Sequence, residues 1–331
     1  MIKKTLAVAL KVLVSGALIW YLLKDIDVDA AQTRLQGADL PLLFGAIALF
    51  LLQALLGGWR WCVVSKAIHA PIDFINALRI FYIGMFFNQA LPGGTGGDAV
   101  RVYLAYKDGL ELRGAINGVM LERLVTVIGL VLLLDMSQPF LQARIDPSAA
   151  EWVLSSAVLL TLGVVGGLAF IMIVDRFFKN LNHWRIVRGL SNLSTDTRQV
   201  FLKLGNVFPI TALGLLTHIN LSICVFVLAL SIGLGVSVVD CLMLVPPVLL
   251  ITVIPISIGG WGIRETAMVA AFGLIGVPSE GALVLSILVG LVGLGISLPG
   301  GLVWLMSRER EQGATLNTIE TELATQENAQ S

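Results

Sequence analysis

Two polar, glycine-rich stretches of ten residues lie between long apolar runs, and they share one frame. The first runs from Pro92 to Arg101 and the second from Pro255 to Arg264, so proline, two glycines and arginine recur at a constant offset of 163 positions. Proline removes a backbone donor and glycine admits backbone angles that other residues avoid, so each stretch favours a chain reversal over a helix interior. Glycine amides can form a concave nest for phosphate oxygens, to which a guanidinium adds a bidentate grip. The two stretches therefore predict paired chain reversals suited to an anion.

Charged side chains inside apolar sequence are the second feature that could do chemistry. A charge at bilayer depth costs about 2.5 to 3.5 kcal/mol on insertion scales, so each such residue needs a partner and is a candidate functional group. Glu122 and Arg123 lie within the apolar run 112–134. Neighbouring residues on a helix point about 100° apart and pair poorly with each other. We expect partners on other elements: Arg101 or Arg264 for Glu122, and Asp98 or Glu265 for Arg123.

Two interpretations of these groups stay open. In the first, the ion pairs only fasten the chain reversals to helix 112–134. In the second, the reversals form an anion site, and helices that begin near Ala99 and Thr266 aim their positive ends at it. The sequence predicts no catalytic residue, metal ligand or cofactor. The predicted substrate-binding residues are Gly93, Gly94, Gly96, Gly97, Asp98, Arg101, Glu122, Arg123, Ser257, Gly259, Gly260, Arg264 and Glu265.

Composition defines the class of protein. Of the 331 residues, 56% are hydrophobic and 13% charged, and the mean hydropathy is +0.88. That is too apolar for a soluble domain, so we predict an all-α polytopic integral membrane protein. The net charge is zero, which argues against nucleic acid as a partner. The three cysteines, Cys62, Cys224 and Cys241, lie at no metal-ligand spacing and are expected to be packing residues.

Apolar runs give the number of membrane crossings. Six are long enough to cross a bilayer, which takes about 20 residues. Two further stretches, 74–91 and 241–277, are interrupted or ended by the glycine-rich sequences and predict either crossings or re-entrant hairpins. The six runs are 5–23, which we expect to be a retained helix and not a cleaved signal peptide, 40–64, 112–134, 152–174, 207–234 and 281–306.

Basic residues decide between these alternatives, because lysine and arginine collect on the cytoplasmic side. Seventeen of the 22 lie in the N-terminus, in 59–79, 98–114 and 175–206, and in the C-terminal tail, whereas only Lys24, Arg34 and Arg144 lie in the opposite loops. Both termini are then cytoplasmic, and 74–97 must enter and return on the same side. The stretch 241–277 becomes a hairpin from the other face, or two thin crossings with the same end topology.

The resulting order is helix, helix, hairpin and helix in each half, with the second half inverted. Transporters of this architecture place their site near the midplane, where the repeats meet. The predicted domains are a transmembrane domain at 1–306, with repeats at about 1–140 and 150–306, and a polar, disordered cytoplasmic tail at 307–331.

Residues 87–103, which include the first glycine-rich stretch, and 255–265, which include the second, resemble the two signature stretches of a known family. It is the lysylphosphatidylglycerol synthase transmembrane-region family, of UPF0104 type, which is also the flippase-like domain of the bacterial multiple peptide resistance factor. The resemblance implies a bacterial or archaeal cytoplasmic-membrane protein whose relatives move lipids between leaflets. The resistance factor continues into a soluble aminoacyl-transferase domain, whereas this sequence ends in a short polar tail, so lysyl transfer is not expected.

The sequence predicts an inner-membrane, flippase-like transporter of a phospholipid or other phosphate-headgroup lipid, and not an enzyme. An alternative is a non-transporting accessory subunit of an envelope lipid or glycan biosynthesis enzyme. An intramembrane lipid-modifying enzyme is a weaker third, because the sequence has no evident nucleophile–histidine pair or metal cluster. The expected partners are membrane lipids, together with a second copy of the chain or an envelope biosynthesis enzyme.

Overall fold

The computed structural model of the chain describes residues 28–90, 96–177, 185–253 and 260–306. All regular secondary structure in these ranges is helical. The predicted helix 5–23 and the tail 307–331 lie outside them. The helices are α1 (Val28–Gln36), α2 (Leu40–Ala67), α3 (Phe74–Ala90), α4 (Gly96–Lys107), α5 (Leu112–Gln142), α6 (Pro147–Phe177), α7 (Arg185–Phe201), α8 (Leu204–Ser231), α9 (Val238–Val253), α10 (Ile263–Gly273) and α11 (Ser279–Met306).

Four helices in the described ranges are long and apolar enough to cross a membrane: α2, residues 150–177 of α6, α8 and α11. They confirm the runs 40–64, 152–174, 207–234 and 281–306. The helix α5, of 31 residues, covers the run 112–134. Near its start Arg113 pairs with Asp196, and just after its end Arg144 pairs with Asp240. These residues mark the two ends of the molecule, called below the Arg113 end and the Arg144 end.

The first glycine-rich stretch joins α3 and α4 into a hairpin. Arg79, near the start of α3, donates from Nη2 to Asp108 Oδ2, just after α4, at 2.5 Å. The hairpin therefore opens at the Arg113 end. The second arm of this hairpin extends beyond the predicted bound at residue 97, because α4 continues to Lys107. Arg101 on this arm was counted among the basic residues of the cytoplasmic side, but it is buried and ion-paired.

The second hairpin consists of α9 and α10 and opens at the Arg144 end. Gly235, before α9, and Gly276, after α10, line one cavity of about 280 Å³ together with Arg144. With 11 residues, α10 is about 16 Å long, too short to cross a hydrocarbon core of about 30 Å. Of the two predicted alternatives for 241–277, the structure therefore has the hairpin.

The packing of the helices repeats between the halves of the chain. The helices α2 and α8 pack against each other at the centre. The first arm of each hairpin packs against the last long helix of the other half, which pairs α3 with α11 and α9 with α5. Because each hairpin packs against the opposite half in the same way, the two halves have the inverted arrangement that the repeated sequence frame predicts. The largest buried apolar cluster contains residues of α2, α8, α9 and α11, which include Phe50, Leu228, Leu244 and Leu285.

Residues 175–206, predicted as a cytoplasmic loop, contain the helix α7. One face of α7 is buried and holds Leu193, Ser194, Asp196, Thr197 and Val200. The helix packs against α6 and α8. The many polar residues of this segment suggested a loop, but they occupy a helix with one buried face, and three of the buried residues are themselves polar.

Several helix pairs approach so closely that only glycine fits between them. A Cβ atom on Gly300 of α11 would lie 2.0 Å from the Tyr82 carbonyl oxygen of α3. A Cβ on Gly97 would lie 1.9 Å from the Gly84 carbonyl oxygen, across the first hairpin. These glycines allow backbone to pack on backbone, which fixes the first hairpin against the opposite half.

Replacing Gly300 with alanine is expected to lower the free energy of unfolding by about 1 to 3 kcal/mol, because a backbone carbonyl must move to admit the methyl group. Gly163 is the matched control, since a Cβ there meets no atom within 4 Å. The free energy of unfolding of both variants is measured in detergent. Equal stability of the two would contradict the close contact between α3 and α11.

Candidate functional site

Glu122 is the centre of a buried ion network that joins three elements. The residue is 1% exposed. Its Oε1 accepts hydrogen bonds from Arg60 of α2, from Nε at 3.0 Å and also from Nη2. Its Oε2 accepts from Arg101 Nη1 of α4 at 3.0 Å. One carboxylate thus holds the first hairpin to α2 and α5. The predicted pairing of Glu122 with Arg101, offered beside Arg264, is confirmed.

Asp98 extends this network. Arg123 donates to both carboxylate oxygens of Asp98, from Nε and Nη2 at 2.8 Å each. Arg101 Nη1 also lies 3.4 Å from Asp98 Oδ1. The predicted pairing of Arg123 with Asp98, offered beside Glu265, is confirmed. We call Arg60, Asp98, Arg101, Glu122 and Arg123 the central cluster.

The central cluster has more positive charge and more donors than it uses internally. Its three guanidinium groups face two carboxylates, an excess of one positive charge. Arg60 Nη1 and Arg101 Nε and Nη2 are buried and have no hydrogen-bond partner among the described residues. The Arg101 guanidinium is held by aromatic rings, with Cζ 4.5 Å from the centre of Trp61 and 4.9 Å from that of Phe81. Positioned guanidinium groups with free N–H donors are suited to an anion.

A cavity of about 350 Å³ lies beside the central cluster and is formed by both halves of the chain. From the first half it is lined by Arg60, Arg101, Glu122 and Arg123. From the second half come polar side chains of α8, α9 and α11, namely Thr217, His218, Thr252 and Ser297. Leu221, Leu249 and Val253 of the second half also line it, so the cavity is charged on the side of the first half and carries neutral polar and apolar groups on the other.

His218 contributes an oriented ring to this cavity. It is 5% exposed, and its Nε2 lies 3.0 Å from the Thr126 carbonyl oxygen. A carbonyl oxygen only accepts, so Nε2 is the donor. The ring's Nδ1 is buried without a hydrogen-bond partner in the described part of the chain. His218 is therefore a buried histidine that is hydrogen-bonded through one of its two ring nitrogens.

The second glycine-rich stretch forms a separate, closed ion pair. Arg264 donates from Nη2 to Glu265 Oε1 at 2.8 Å, and Ser286 donates to the same oxygen at 3.2 Å. Arg264 Nε lies 3.3 Å from Ser286 Oγ, and the guanidinium carbon lies 4.8 Å from the Trp261 ring centre. Neither Arg264 nor Glu265 is among the described residues that line the cavity. The structure thus brings the charged candidates of the first half together beside the cavity. It places Arg264 and Glu265 outside the cavity lining.

The two halves have also diverged in sequence around these arginines. The bounds of α2 and α8 differ by 164 positions, which places Cys224 in the position of Arg60, and residues 284–290 of α11, in the region that corresponds to Glu122, contain no acidic residue. The second half therefore has no counterpart of Glu122, which holds Arg101, or of Arg60, the other arginine bound to Glu122. All charged side chains among the described residues that line the cavity come from the first half, and the second half supplies neutral groups.

The remaining candidates, Ser257 and the glycines, divide into three groups. Gly93, Gly94, Ser257 and Gly259 lie outside the described residues. Gly96 and Gly97 belong to the first turn of α4, which begins three residues earlier than predicted. Gly260 has φ +81°, a conformation that favours glycine, and α10 begins at Ile263, three residues before the predicted start. Of the candidate glycines in the described ranges, Gly97 packs on the backbone of α3.

The fold and the central cluster define a polytopic, all-helical membrane protein with a charged cavity between two inverted halves. The chain belongs to the family described as the lysylphosphatidylglycerol synthase TM region, whose model matches residues 8–300. It is also similar to the UPF0104 membrane protein PH1989 of Pyrococcus horikoshii, with 26% identity over 106 residues. That similarity covers 32% of this chain and 30% of the relative.

Proposed function

We propose that this protein is a flippase-like transporter that moves a phospholipid or another phosphate-headgroup lipid between the leaflets of a membrane. The observation that carries the proposal is that Arg60 and Arg101, two arginines that line the central cavity, have buried N–H donors without a hydrogen-bond partner among the described residues. A phosphate group accepts several such hydrogen bonds and balances the excess positive charge.

The position of the cavity supports transport over static binding. It lies between two halves whose hairpins open at opposite ends. In transporters with inverted repeats, one half moves against the other around a site at their interface. The family description names a synthase of a phosphate-headgroup lipid, and the cargo proposed here has the same chemistry.

Purified protein in phosphatidylcholine vesicles tests this function. Chain-labelled phospholipids are added, and an impermeant quencher reports the fraction in the outer leaflet. We expect exchange between leaflets well above that of vesicles without protein, with the lipid chemically unchanged. No exchange above that control would contradict the proposal and favour the accessory-subunit alternative. Conversion of the lipid would indicate an enzyme.

We place the protein in the cytoplasmic membrane of a bacterium or archaeon, with both termini in the cytoplasm. Of the 17 basic residues that indicated this orientation, Arg60 and Arg101 are buried in the central cluster and give no loop charge. The remaining 15 still outnumber the three on the other side, so the orientation rests on the same bias.

Labelling of introduced cysteines tests this orientation. In a background without Cys62, Cys224 and Cys241, single cysteines replace Lys107, Asp146 or Arg188. We expect an impermeant thiol reagent added outside intact cells to label only the Asp146 position. Labelling at position 107 alone would contradict the first hairpin's entry from the cytoplasm, and labelling at both 107 and 188 would reverse the whole orientation.

A further inference from the structure

Each end of the molecule has a pocket at the mouth of its hairpin, and corresponding loops form the two pockets. At the Arg113 end, the loops after α2 and before α5 line a pocket of about 460 Å³, called the Arg113 pocket. At the Arg144 end, the loops after α8 and before α11 line the cavity of about 280 Å³, called the Arg144 pocket. His69 and Gly233, each two residues after the end of its helix, have similar φ angles of +61° and +68°. The inverted repeat therefore extends to the two pockets.

A short helix completes each pocket, and the two ends differ in its charge. The helix α7 directly precedes α8 and packs on α5, and α1 directly precedes α2 and packs on α11. The first supplies Asp196 to the Arg113 pocket, whereas the second supplies Arg34 to the Arg144 pocket. Helices in equivalent places thus contribute a carboxylate at one end and a guanidinium at the other.

The Arg113 pocket contains its own anion. Asp196 is 2% exposed, and its Oδ1 accepts a hydrogen bond from Arg113 Nη2 at 2.7 Å. Its Oδ2 accepts from Asn117 Nδ2 at 2.6 Å. The arginine at this end is therefore already paired with a carboxylate that the protein supplies.

The Arg144 pocket lacks such a pairing. Arg144 Nη1 lies 3.6 Å from Asp240 Oδ1, which is too long for a hydrogen bond. No described residue forms a hydrogen bond or ion pair with the side chain of Arg34. The charged side chains of the lining are these two arginines and Asp240, an excess of one positive charge. The helices α9 and α11 also begin at this pocket, and their N-terminal ends favour negative charge.

Asp240 shows that the pocket also has an unused acceptor. Its side chain is buried, and its Oδ2 accepts from the Ser237 backbone N–H at 2.8 Å and from Ser237 Oγ at 2.7 Å. Its Oδ1 is buried without a hydrogen-bond partner among the described residues. A buried acceptor without a donor is costly. A ligand that combines an anionic group with a nearby donor would satisfy both the arginines and this oxygen.

We propose that the Arg144 pocket is a second ligand site, which binds a phosphate ester whose substituent carries a hydrogen-bond donor. A phosphate group has enough acceptor oxygens for both Arg34 and Arg144. Arg144, with 53% of its side chain exposed, can turn from Asp240 to the phosphate, and Oδ1 then accepts from the substituent. The pocket is separate from the central cavity, so this inference does not depend on transport between leaflets.

Calorimetric titration of the purified protein in uncharged detergent tests the site. The probes are glycerol 3-phosphate and propyl phosphate, which has a chain of the same length without hydroxyl groups. We expect both to bind, and propyl phosphate to bind about fivefold more weakly for loss of one hydrogen bond. Equal affinities would overturn the contact of the substituent with Asp240.

A third probe distinguishes a lipid headgroup from a soluble ester of the same chemistry. Hexanoyl lysophosphatidic acid has the phosphate and one hydroxyl of glycerol 3-phosphate and adds a short acyl chain. Binding about tenfold tighter than that of glycerol 3-phosphate would indicate a lipid at the membrane surface, because the chain is then buried as well. Equal affinities of these two would indicate a soluble ester. Binding of neither would overturn the proposal.

Variants assign the binding to this pocket. Arg34→Gln and Arg144→Gln should each weaken glycerol 3-phosphate about tenfold or more, for loss of a hydrogen bond to a charged group. The matched control is Lys203→Gln, which removes one positive charge at an exposed position before α8 and should leave the affinity unchanged. Binding that is weakened by Arg101→Lys and unaffected by both pocket variants would place the phosphate in the central cluster and overturn the proposal. The proposed transport function would still stand in that case.

Discussion

Replacing Glu122 with glutamine is expected to destabilise the protein by about 3 to 5 kcal/mol, as for other broken buried ion pairs. Glu122 is 1% exposed and neutralises two guanidinium groups from different elements. Glutamine keeps the size and one acceptor oxygen, but leaves Arg60 and Arg101 without charge compensation from it. The measurement is thermal unfolding in detergent.

Two further variants serve as the control and the comparison for this loss of stability. Glu151→Gln makes the same chemical change at an exposed position on α6 and should leave stability unchanged. Asp98→Asn should cost less than Glu122→Gln, because Asp98 is more exposed and its partner Arg123 reaches the surface, with 46% of its side chain exposed. A Glu122→Gln protein that unfolds like the wild type but moves no lipid would contradict the structural role. It would instead indicate that Glu122 acts by changing its protonation during transport.

The hairpins and two of the four ion pairs of the central cluster could be predicted from the sequence for a physical reason. Glycine and proline interrupt helices wherever they occur, so a repeated glycine-rich frame marks repeated reversals without knowledge of the fold. The cost of a charge in apolar surroundings similarly requires partners for Glu122 and Arg123. With few charges in apolar sequence, the choice narrowed to two partners each, and the structure contains one of each pair.

Arg60 could not be assigned to the site from the sequence, although it donates two hydrogen bonds to Glu122. It lies seven residues before the end of α2, where a long side chain can equally reach the membrane surface or turn inward. The positive-inside count took it as a surface charge. Only the packing of α2 against α5 shows that it turns inward to Glu122. The flanking Trp59 and Trp61 did not indicate that Arg60 is buried, because tryptophan is also common at the membrane interface.

The two glycine-rich stretches are less equivalent in the structure than their shared sequence frame suggests. The shared frame indicates that Arg101 and Arg264 occupy corresponding positions on inverted hairpins. Their roles depend on neighbours outside the frame, and these differ. Arg101 meets Glu122 and the cavity, whereas Arg264 meets Glu265 and Ser286 in a closed pair. A duplicated backbone can therefore hold two different sites.

This difference predicts different results when each arginine is replaced by lysine, which keeps the charge and loses the planar fork. Arg101→Lys is expected to lower lipid transport by about ten- to hundredfold, the effect of losing a hydrogen bond to a charged group. Lysine can still pair with Glu122, so the loss of stability should be small beside that of Glu122→Gln. Leaflet exchange in vesicles and unfolding in detergent are measured on the same preparations.

Arg264→Lys should show the opposite pattern, with transport near the wild-type rate and stability lowered by about 1 to 2 kcal/mol for the lost contact with Ser286. Because the two arginines share no described partner, the double variant should combine the transport defect of one with the stability defect of the other. The outcome that would contradict this expectation is an Arg264→Lys protein that is stable and inactive, with a double variant little worse than either single one. Both arginines would then hold the same headgroup at different stages of transport, as the repeated frame suggests and the closed pair with Glu265 argues against.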